Sequence, residues 1–288
     1  MPAFYMSNNI IAYQGVEGAY SHLACKNAYP DMIPKACDSF MDAMWMVEEG
    51  EAKYAMIPLE NSTAGRVEEI YRLIPKMSLS VVAEHFEPVI HCLVALPDAK
   101  IEDIKYVSSH PQALAQCHLN IEKLNLKAEA TFDTAGAARE VLERGDIKRA
   151  AIASKLAAQL YGLKILREHF EDERGNVTRF FVLSKKEEIP PYDKNKEYIT
   201  SLLFQVRNIP AALYKALGGF ATNGINLIKL ESYNVGSKIK ASLFHVDIEA
   251  HPAMKGMKYA LEELAFFAED VRILGVYEKH PFRKESKE

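Results

Sequence analysis

Cysteine is scarce in this 288-residue sequence and does not cluster: Cys25, Cys37, Cys92 and Cys117 lie far apart. That spacing fits neither a zinc site nor the disulfide framework of a small secreted domain. Buried free thiols in a reducing cytoplasm are the simplest account. Charge of one sign is also lacking, since the net charge is -4 with both signs mixed throughout. No basic block points to nucleic acid, and no basic amphipathic helix points to a membrane surface. No apolar run approaches the ~20 residues of a membrane span. Met1–Ile11 lacks the basic and then apolar regions of a signal peptide, so a cytoplasmic protein is expected. What is present suffices for a sizeable core: 49% of residues are hydrophobic. The length suggests two domains, at roughly 100–200 residues each.

The first two-thirds of the chain alternates strands with helices. Ile10–Tyr13 reads as a strand, Gln14–Ser21 as a Gly-containing turn and His22–Ala28 as a helix. The unpaired N–H groups and positive dipole end of such a helix can make an anion cradle, in which Ser21 caps or touches a ligand, although a plain strand–turn–helix is the better reading of these residues alone. Ser39–Glu49 reads as a helix capped by Ser39 and stopped by Gly50, with Met41, Met44, Trp45 and Met46 as core. The strand Tyr54–Leu59 ends in the polar cluster Glu60–Gly65, at the edge where α/β folds bind ligands. Ser62 and Thr63 equally suit a helix cap before Val67–Leu73; Asn61 has less reason to be there for capping. Leu79–Glu84 and Val89–Leu96 read as strands, with His85 and His91 as packed neutral imidazoles. Tyr106–Gln112 repeats the strand-to-helix cradle, with Ser109 near the helix start and Pro111 at its first position. Gln112 and Gln116, four residues apart, share a helix face. Strands at Ala128–Phe132 and Ala150–Ala153 alternate with helices at Asp133–Arg144 and Lys155–Tyr161, and Leu163–Leu166 starts the return toward Thr178. This order implies a mostly parallel, doubly wound α/β architecture with two lobes and a cleft.

Gly175–Leu183 begins as a turn and ends as a strand. Strand side chains alternate between faces, so Thr178 and Arg179 can serve different walls of one pocket. A hydroxyl can donate a hydrogen bond there, and a guanidinium can hold a carboxylate bidentately. A loop with a surface arginine is an equally good reading of these residues alone. Lys185–Lys196, rich in Lys, Glu and Pro, reads as a linker. Beyond it come a strand at Tyr198–Val206, a helix at Pro210–Gly224, strands at Asn226–Val235 and Lys238–Glu249, a helix at Met254–Glu269 and a strand at Val271–Glu278. That is the βαββαβ order of a ferredoxin-like domain.

Taken together, these stretches resemble the prephenate dehydratase family over nearly the whole chain, from about Ile10 to Tyr277. Four motifs carry the resemblance: AYQGVEGAYS at Ala12–Ser21, IPLENSTAG at Ile57–Gly65, SHPQALAQC at Ser109–Cys117 and EDERGNVTRF at Glu171–Phe180. The resemblance implies a two-lobed, periplasmic-binding-protein-like catalytic domain at residues 8–190 and an ACT regulatory domain at residues 197–280. It also implies decarboxylative dehydration of prephenate to phenylpyruvate, on the route to phenylalanine, with no metal or organic cofactor. Carried over onto matching positions, the expected catalytic residues are Asn61, Ser109, Gln116, Thr178 and Arg179. The expected substrate contacts are Ser21, Ser62, Gln112, Thr134 and Phe180. Prephenate has two carboxylates and a leaving ring hydroxyl, so Thr178 is the expected hydrogen-bond donor to that hydroxyl and Arg179 the expected carboxylate clamp.

The resemblance also implies a homodimer or homotetramer formed through the ACT domains, with phenylalanine as effector at Ala211, Ala212, Leu213, Asn223, Asn226, Leu227, Glu231 and Ser232. Two departures leave that regulation open. The family's usual Gly-Ala-Leu is here Pro210-Ala211-Ala212-Leu213, and its Glu-Ser-Arg-Pro is Glu231-Ser232-Tyr233-Asn234; the loop Asn234–Lys238 is an alternative closing element. Asp133 stands where serine is frequent, and it suits a helix cap. Arogenate as substrate and a non-catalytic aromatic amino acid sensor are the rival readings. Thr178 argues against the sensor, which has no use for a leaving-group donor. A secreted solute-binding protein is disfavoured by the missing signal peptide.

Overall fold

The computed structural model describes residues 9–234 and 241–285. The chain runs β1 (Ile10–Gln14), α1 (Tyr20–Ala28), β2 (Ile33–Cys37), α2 (Phe40–Glu48), β3 (Tyr54–Asn61), β4 (Gly65–Arg66), α3 (Glu68–Leu73), β5 (Ser80–Pro88) and β6 (Cys92–Ala95). It continues with β7 (Tyr106–Ser109), α4 (Pro111–Gln116), α5 (His118–Lys123), β8 (Lys127–Ala130), α6 (Thr134–Arg144), β9 (Arg149–Ala153), α7 (Lys155–Leu160), β10 (Lys164–Arg167) and β11 (Val177–Ser184). It closes with β12 (Tyr198–Val206), α8 (Ala212–Thr222), β13 (Leu227–Asn234), β14 (Ala241–Ile248), α9 (Lys255–Phe267), β15 (Ala268–Glu278) and α10 (Phe282–Glu285). Three sheets result, ordered β2-β1-β3-β11-β5 with β4 on β3, β10-β6-β9-β7-β8, and β13-β14-β12-β15. No helix among the described residues is long and apolar enough to cross a membrane.

The α/β class holds, but the first two sheets are mixed rather than mostly parallel. β1 pairs in parallel with β2 and β3, and β7 with β8 and β9. β6 runs antiparallel between β9 and β10. β2 was not anticipated. Its Pro34 suits a sheet edge, where a missing N–H is tolerated, and hides the strand pattern. The strand expected from Val89 starts only at Cys92, and His91 is left in the connection. The helix at α2 forms as expected, with a capping box between Ser39 and Asp42. It buries Ala43, Met44 and Val47, whereas Met41 and Trp45, read as core, sit on its outer face at 60% and 52% exposure.

Contacts divide the chain into two units, one comprising residues up to Ile70 with His85–Phe180, the other Tyr71–Glu84 with residues from Phe181 on. The first unit holds the two lobes. Small residues let α6 and α7 lie close on one face of the second sheet, through Ala135, Ala137, Ala138, Ala157 and Ala158. The β1–α1 loop docks on α7: Ser154 Oγ donates to the Gly18 carbonyl at 2.6 Å, and a Cβ on Gly18 would lie 2.9 Å from Ala157 Cα. Gly18 also has φ +89°, so glycine is required there for both space and backbone conformation.

The second unit has the expected βαββαβ order. α8 and α9 cover one sheet face through Ala216, Phe220, Met257 and Leu264 packed on Leu202, Phe204, Phe244 and Val246. Segment 71–84 belongs to this unit through Arg272, which donates to the carbonyls of Met77 at 3.0 Å and Ile74 at 2.8 Å. β15 approaches β5 so closely that a Cβ on Gly275 would fall 1.8 Å from the Val81 oxygen. Ala211, before α8, has φ 58°, a left-handed conformation that costs a residue with a Cβ roughly 1–2 kcal/mol. A glycine would adopt that conformation without the cost.

Two substitutions test these backbone constraints in urea denaturation. Gly275→Ala is expected to destabilise by at least the ~1–3 kcal/mol of core overpacking. Ala211→Gly is expected to be neutral or stabilising by up to about 1 kcal/mol, the left-handed strain offsetting the entropy that glycine adds to the unfolded chain.

Candidate active site

A cavity of about 200 Å³ in the first unit is lined by Tyr20, Asn61, Val67, Val89, His91, His110, Gln112, Ala113, Gln116, Thr134, Asn176 and Thr178. Its polar wall is ordered from Asn61, at the end of β3. The backbone N–H groups of Thr63 and Ala64 both donate to Asn61 Oδ1, at 3.1 and 2.9 Å, and the Thr63 hydroxyl adds a third bond at 2.8 Å. Backbone N–H groups only donate, so the carboxamide has one possible orientation. Its Nδ2 therefore faces β11 and donates to Asn176 Oδ1 at 2.6 Å and Thr178 Oγ1 at 3.0 Å.

Each further amide is fixed in turn. With its oxygen taken, Asn176 donates from Nδ2 to Gln116 Oε1 at 3.2 Å. Gln116 then donates from Nε2 to Thr63 Oγ1 at 2.7 Å, closing a ring. Because Gln116 Oε1 can only accept, His91 Nε2, 2.8 Å away, must carry a hydrogen. On the other side of that imidazole, the Tyr20 hydroxyl lies 2.9 Å from His91 Nδ1 and 2.9 Å from the Ile90 carbonyl. Thr178 Oγ1 accepts from Asn61, so its own hydrogen is left to donate to a bound molecule.

The structure gathers Asn61, Gln112, Gln116, Thr134 and Thr178 of the expected site residues at this cavity. Thr134 opens α6, whose N-cap Asp133 accepts from the Gly136 N–H at 2.6 Å, as its position suggested. The other expected residues have different places. Arg179 points to the opposite face of β11, is buried at 3% exposure, and lies 3.0 Å from Glu60 Oε1. It does not line the cavity, because strand alternation sends it away from Thr178. Ser109 is fully buried and donates to the Ile152 carbonyl at 2.6 Å, tying β7 to β9. Ser62 ties the end of β3 to the turn before β11, accepting from the Val177 N–H at 3.0 Å and donating to the Gly175 carbonyl at 3.3 Å. Ser21 is absent from the lining, and its neighbour Tyr20 stands there instead. Phe180 is core. Tyr20, His91, His110 and Asn176 were not anticipated as site residues. Asn176 could have been suspected, since it immediately precedes β11 and lies two residues before Thr178.

Burial tunes the titratable groups. It lowers the His91 pKa, opposed by the Gln116 hydrogen bond and the Glu171 charge. It lowers that of His22 too, with help from Lys26. It holds the Tyr20 phenol well above its ordinary value. All four cysteines are buried free thiols, as expected, and burial raises every one, Cys92 to about 11. None is a thiolate nucleophile at neutral pH.

Two α/β lobes with a small cavity, whose polar wall carries a hydroxyl held by a fixed amide, have the form of a site for a small polar molecule. Comparison with known proteins narrows this class. The prephenate dehydratase family model matches residues 11–188. A bifunctional N-acyl-homoserine lactone acylase/prephenate dehydratase of Komagataeibacter europaeus is 45% identical, over 96% of this chain and 98% of its own. An arogenate dehydratase/prephenate dehydratase of Arabidopsis thaliana is 41% identical, over 93% of this chain and 72% of its own. A solved prephenate dehydratase of Arthrobacter aurescens, in complex with L-Phe, superposes with a TM-score of 0.85 at 29% identity, covering 94% of this chain and 90% of that one. The chain belongs to the prephenate dehydratase family, whose enzymes are carbon–oxygen lyases.

The lowered histidine pKa values predict how the free protein responds to acid. Between its folded pKa and the ordinary value near 6.5, the unfolded chain binds more protons, so stability is lost as pH falls through that window. The melting temperature is expected to drop between pH 7.5 and 5.5, with a smaller drop in His91→Gln.

Proposed function

We propose that this protein converts prephenate to phenylpyruvate. The observation that carries the reading is the Asn61–Thr178 hydrogen bond at 3.0 Å, in which Thr178 accepts and so keeps its own hydrogen to donate, on a side chain that lines a cavity of small-substrate size. The overall change is prephenate dianion plus a proton giving phenylpyruvate anion, carbon dioxide and water. The ring C–O bond and the bond to the ring carboxylate break together, and the electrons left by carbon dioxide complete the aromatic ring. Thr178 stabilises the departing oxygen by donating to it; a threonine hydroxyl is too weak an acid to surrender its proton outright. Gln112, Gln116 and Thr134 supply further hydrogen-bonding groups around the substrate. Arg179 supports this wall indirectly, holding β11 to Glu60 beside Asn61.

The catalytic domain corresponds to residues 8–190 and an ACT regulatory domain to residues 197–280. Phenylalanine is the effector this reading implies, and copies of the chain pair through the ACT domains. Within one chain the eight effector positions form two groups, since Ala211 and Asn223 cap opposite ends of α8, about 18 Å apart by helix rise. A site joining them draws on two copies. Asn226 is engaged with Glu249 at 2.6 Å and Asn223 with the Gly219 carbonyl at 2.8 Å. Residues 235–238 of the alternative closing loop lie outside the described residues. β11 supports a coupling route: the same strand carries Thr178 in one unit and Phe181, against His245 and Tyr277, in the other. Titration of phenylalanine against both activity and oligomer size tests regulation.

The Komagataeibacter europaeus relative, alike over almost its whole length, favours a second reading: acylase activity on an N-acyl-homoserine lactone. Release of fatty acid from such a lactone by the purified protein decides it. The decisive assay for the main reading is phenylpyruvate formation from prephenate, run in parallel with arogenate. Thr178→Ala is expected to lower kcat on prephenate about 10²–10⁴-fold with folding intact. Near-full activity in that variant removes the donor role.

A further inference from the structure

The cavity has a charge problem that its hydrogen bonds do not solve. Among the described residues that line it there is no lysine or arginine, yet the proposed substrate brings two carboxylates. A dianion entering a partly buried site without a compensating cation is strongly disfavoured. Two lining side chains can become cations, His91 and His110.

Their hydrogen bonds separate them. His110 caps α4, and its Nδ1 accepts from the Gln112 N–H at 3.2 Å. Placing a proton on that nitrogen destroys the cap. His91 is different. Its Nε2 already carries a hydrogen toward Gln116 Oε1, as the orientation of Asn61 dictates. Its Nδ1 faces the Tyr20 hydroxyl, which has a second acceptor at the same distance, the Ile90 carbonyl at 2.9 Å. With His91 neutral, the hydroxyl donates to Nδ1. With His91 charged, Nδ1 donates to the Tyr20 oxygen and the hydroxyl turns to Ile90. In both states the two ring nitrogens and the hydroxyl hydrogen each have a partner, and no heavy atom has to move.

We infer that His91 is a proton-loading site: it takes one proton from solvent as the dicarboxylate binds, compensates its charge, and loses that proton after the product leaves, with the Tyr20 hydroxyl as the switch. The inference rests on the proposed dehydratase function. His91 is not the donor to the leaving hydroxyl, because both ring nitrogens are engaged by protein groups. The titratable groups near it are consistent with loading on binding. Glu171 accepts from the His91 backbone N–H at 2.9 Å and is itself 2.9 Å from His169 Nδ1. Glu87 is engaged with His85 at 2.9 Å and with Asn27. Asp172 is turned to the start of α5. Cys92, Cys117 and Tyr20 stay protonated because burial raises each of them. Burial keeps His91 neutral in the free protein; two substrate carboxylates reverse that balance.

Steady-state kinetics on prephenate between pH 6.0 and 8.5, with enzyme-free blanks subtracted, test the inference. In the unsubstituted protein KM is expected to rise with pH, by up to about tenfold per unit, between the free and substrate-bound His91 values, while kcat changes less. His91→Gln, whose amide can still donate to Gln116, is expected to show a high, pH-independent KM. Tyr20→Phe removes the switch and shifts the KM transition to lower pH. Arogenate, whose ammonium already offsets one carboxylate, is expected to show a weaker KM dependence. If His91→Gln keeps the pH dependence of KM, or Tyr20→Phe leaves its midpoint unmoved, the inference is overturned while the dehydratase reading stands. If the unsubstituted protein makes no phenylpyruvate, the dehydratase reading falls and this inference with it.

Discussion

Two backbone N–H groups, those of Thr63 and Ala64, hold the carboxamide oxygen of Asn61, and the rest of the site depends on that arrangement. Carboxamides are ambiguous by nature, since either end can face a partner. Here the backbone removes the ambiguity at one residue, and hydrogen-bond complementarity passes the choice to Asn176, Gln116 and His91 in turn. The result is a wall of neutral groups with defined directions, contributed by β3, α4, β11 and the β5–β6 connection. Such preorganisation matters in a reaction whose charge moves onto a departing oxygen, because donors already in place need no reorganisation as it leaves. The ENS stretch is thus an orienting device, with Thr178 as the group it orients.

Arg179 shows how a strand can separate structural from chemical roles. Its buried pairing with Glu60 takes it away from the substrate but fixes β11 against β3, where the Asn61–Thr178 bond forms. A guanidinium buried with a carboxylate is costly to leave unpaired, which makes such a pair a firm register pin. β11 then continues into the second unit, whose sheet is clamped to segment 71–84 by Arg272 and by the missing side chain of Gly275.

Much of this was legible in the sequence. The alternation of strands and helices, the caps at Ser39 and Asp133, the linker and the βαββαβ unit follow from periodicity and capping chemistry, which act locally. Asn61, Gln112, Thr134 and Thr178 could be placed because each stands where a strand or helix begins or ends, and Gln116 because it shares a helix face with Gln112. What was hidden depends on direction and neighbours. The side of β11 that Arg179 takes, the burial of Ser109 under Ile152 and the exposure of Trp45 are settled by packing partners distant in sequence. His91 is the packed neutral imidazole expected of it, buried with its pKa lowered, but its place on the cavity wall was hidden for a related reason: its ring meets Tyr20 and Gln116, which are distant in sequence. The antiparallel β6 was hidden because nothing local records which sheet a strand will join.

The central claim is that the amide chain acts through Thr178, and a double-mutant cycle on kcat for prephenate tests it most directly. Asn176→Ala removes the acceptor of Asn61 Nδ2 and the donor to Gln116 without touching Thr178 itself. If the chain works by orienting the hydroxyl, Asn176→Ala slows the unsubstituted protein but costs little more once Thr178→Ala is present. Full additivity of the two effects, with both variants folded, would contradict the account.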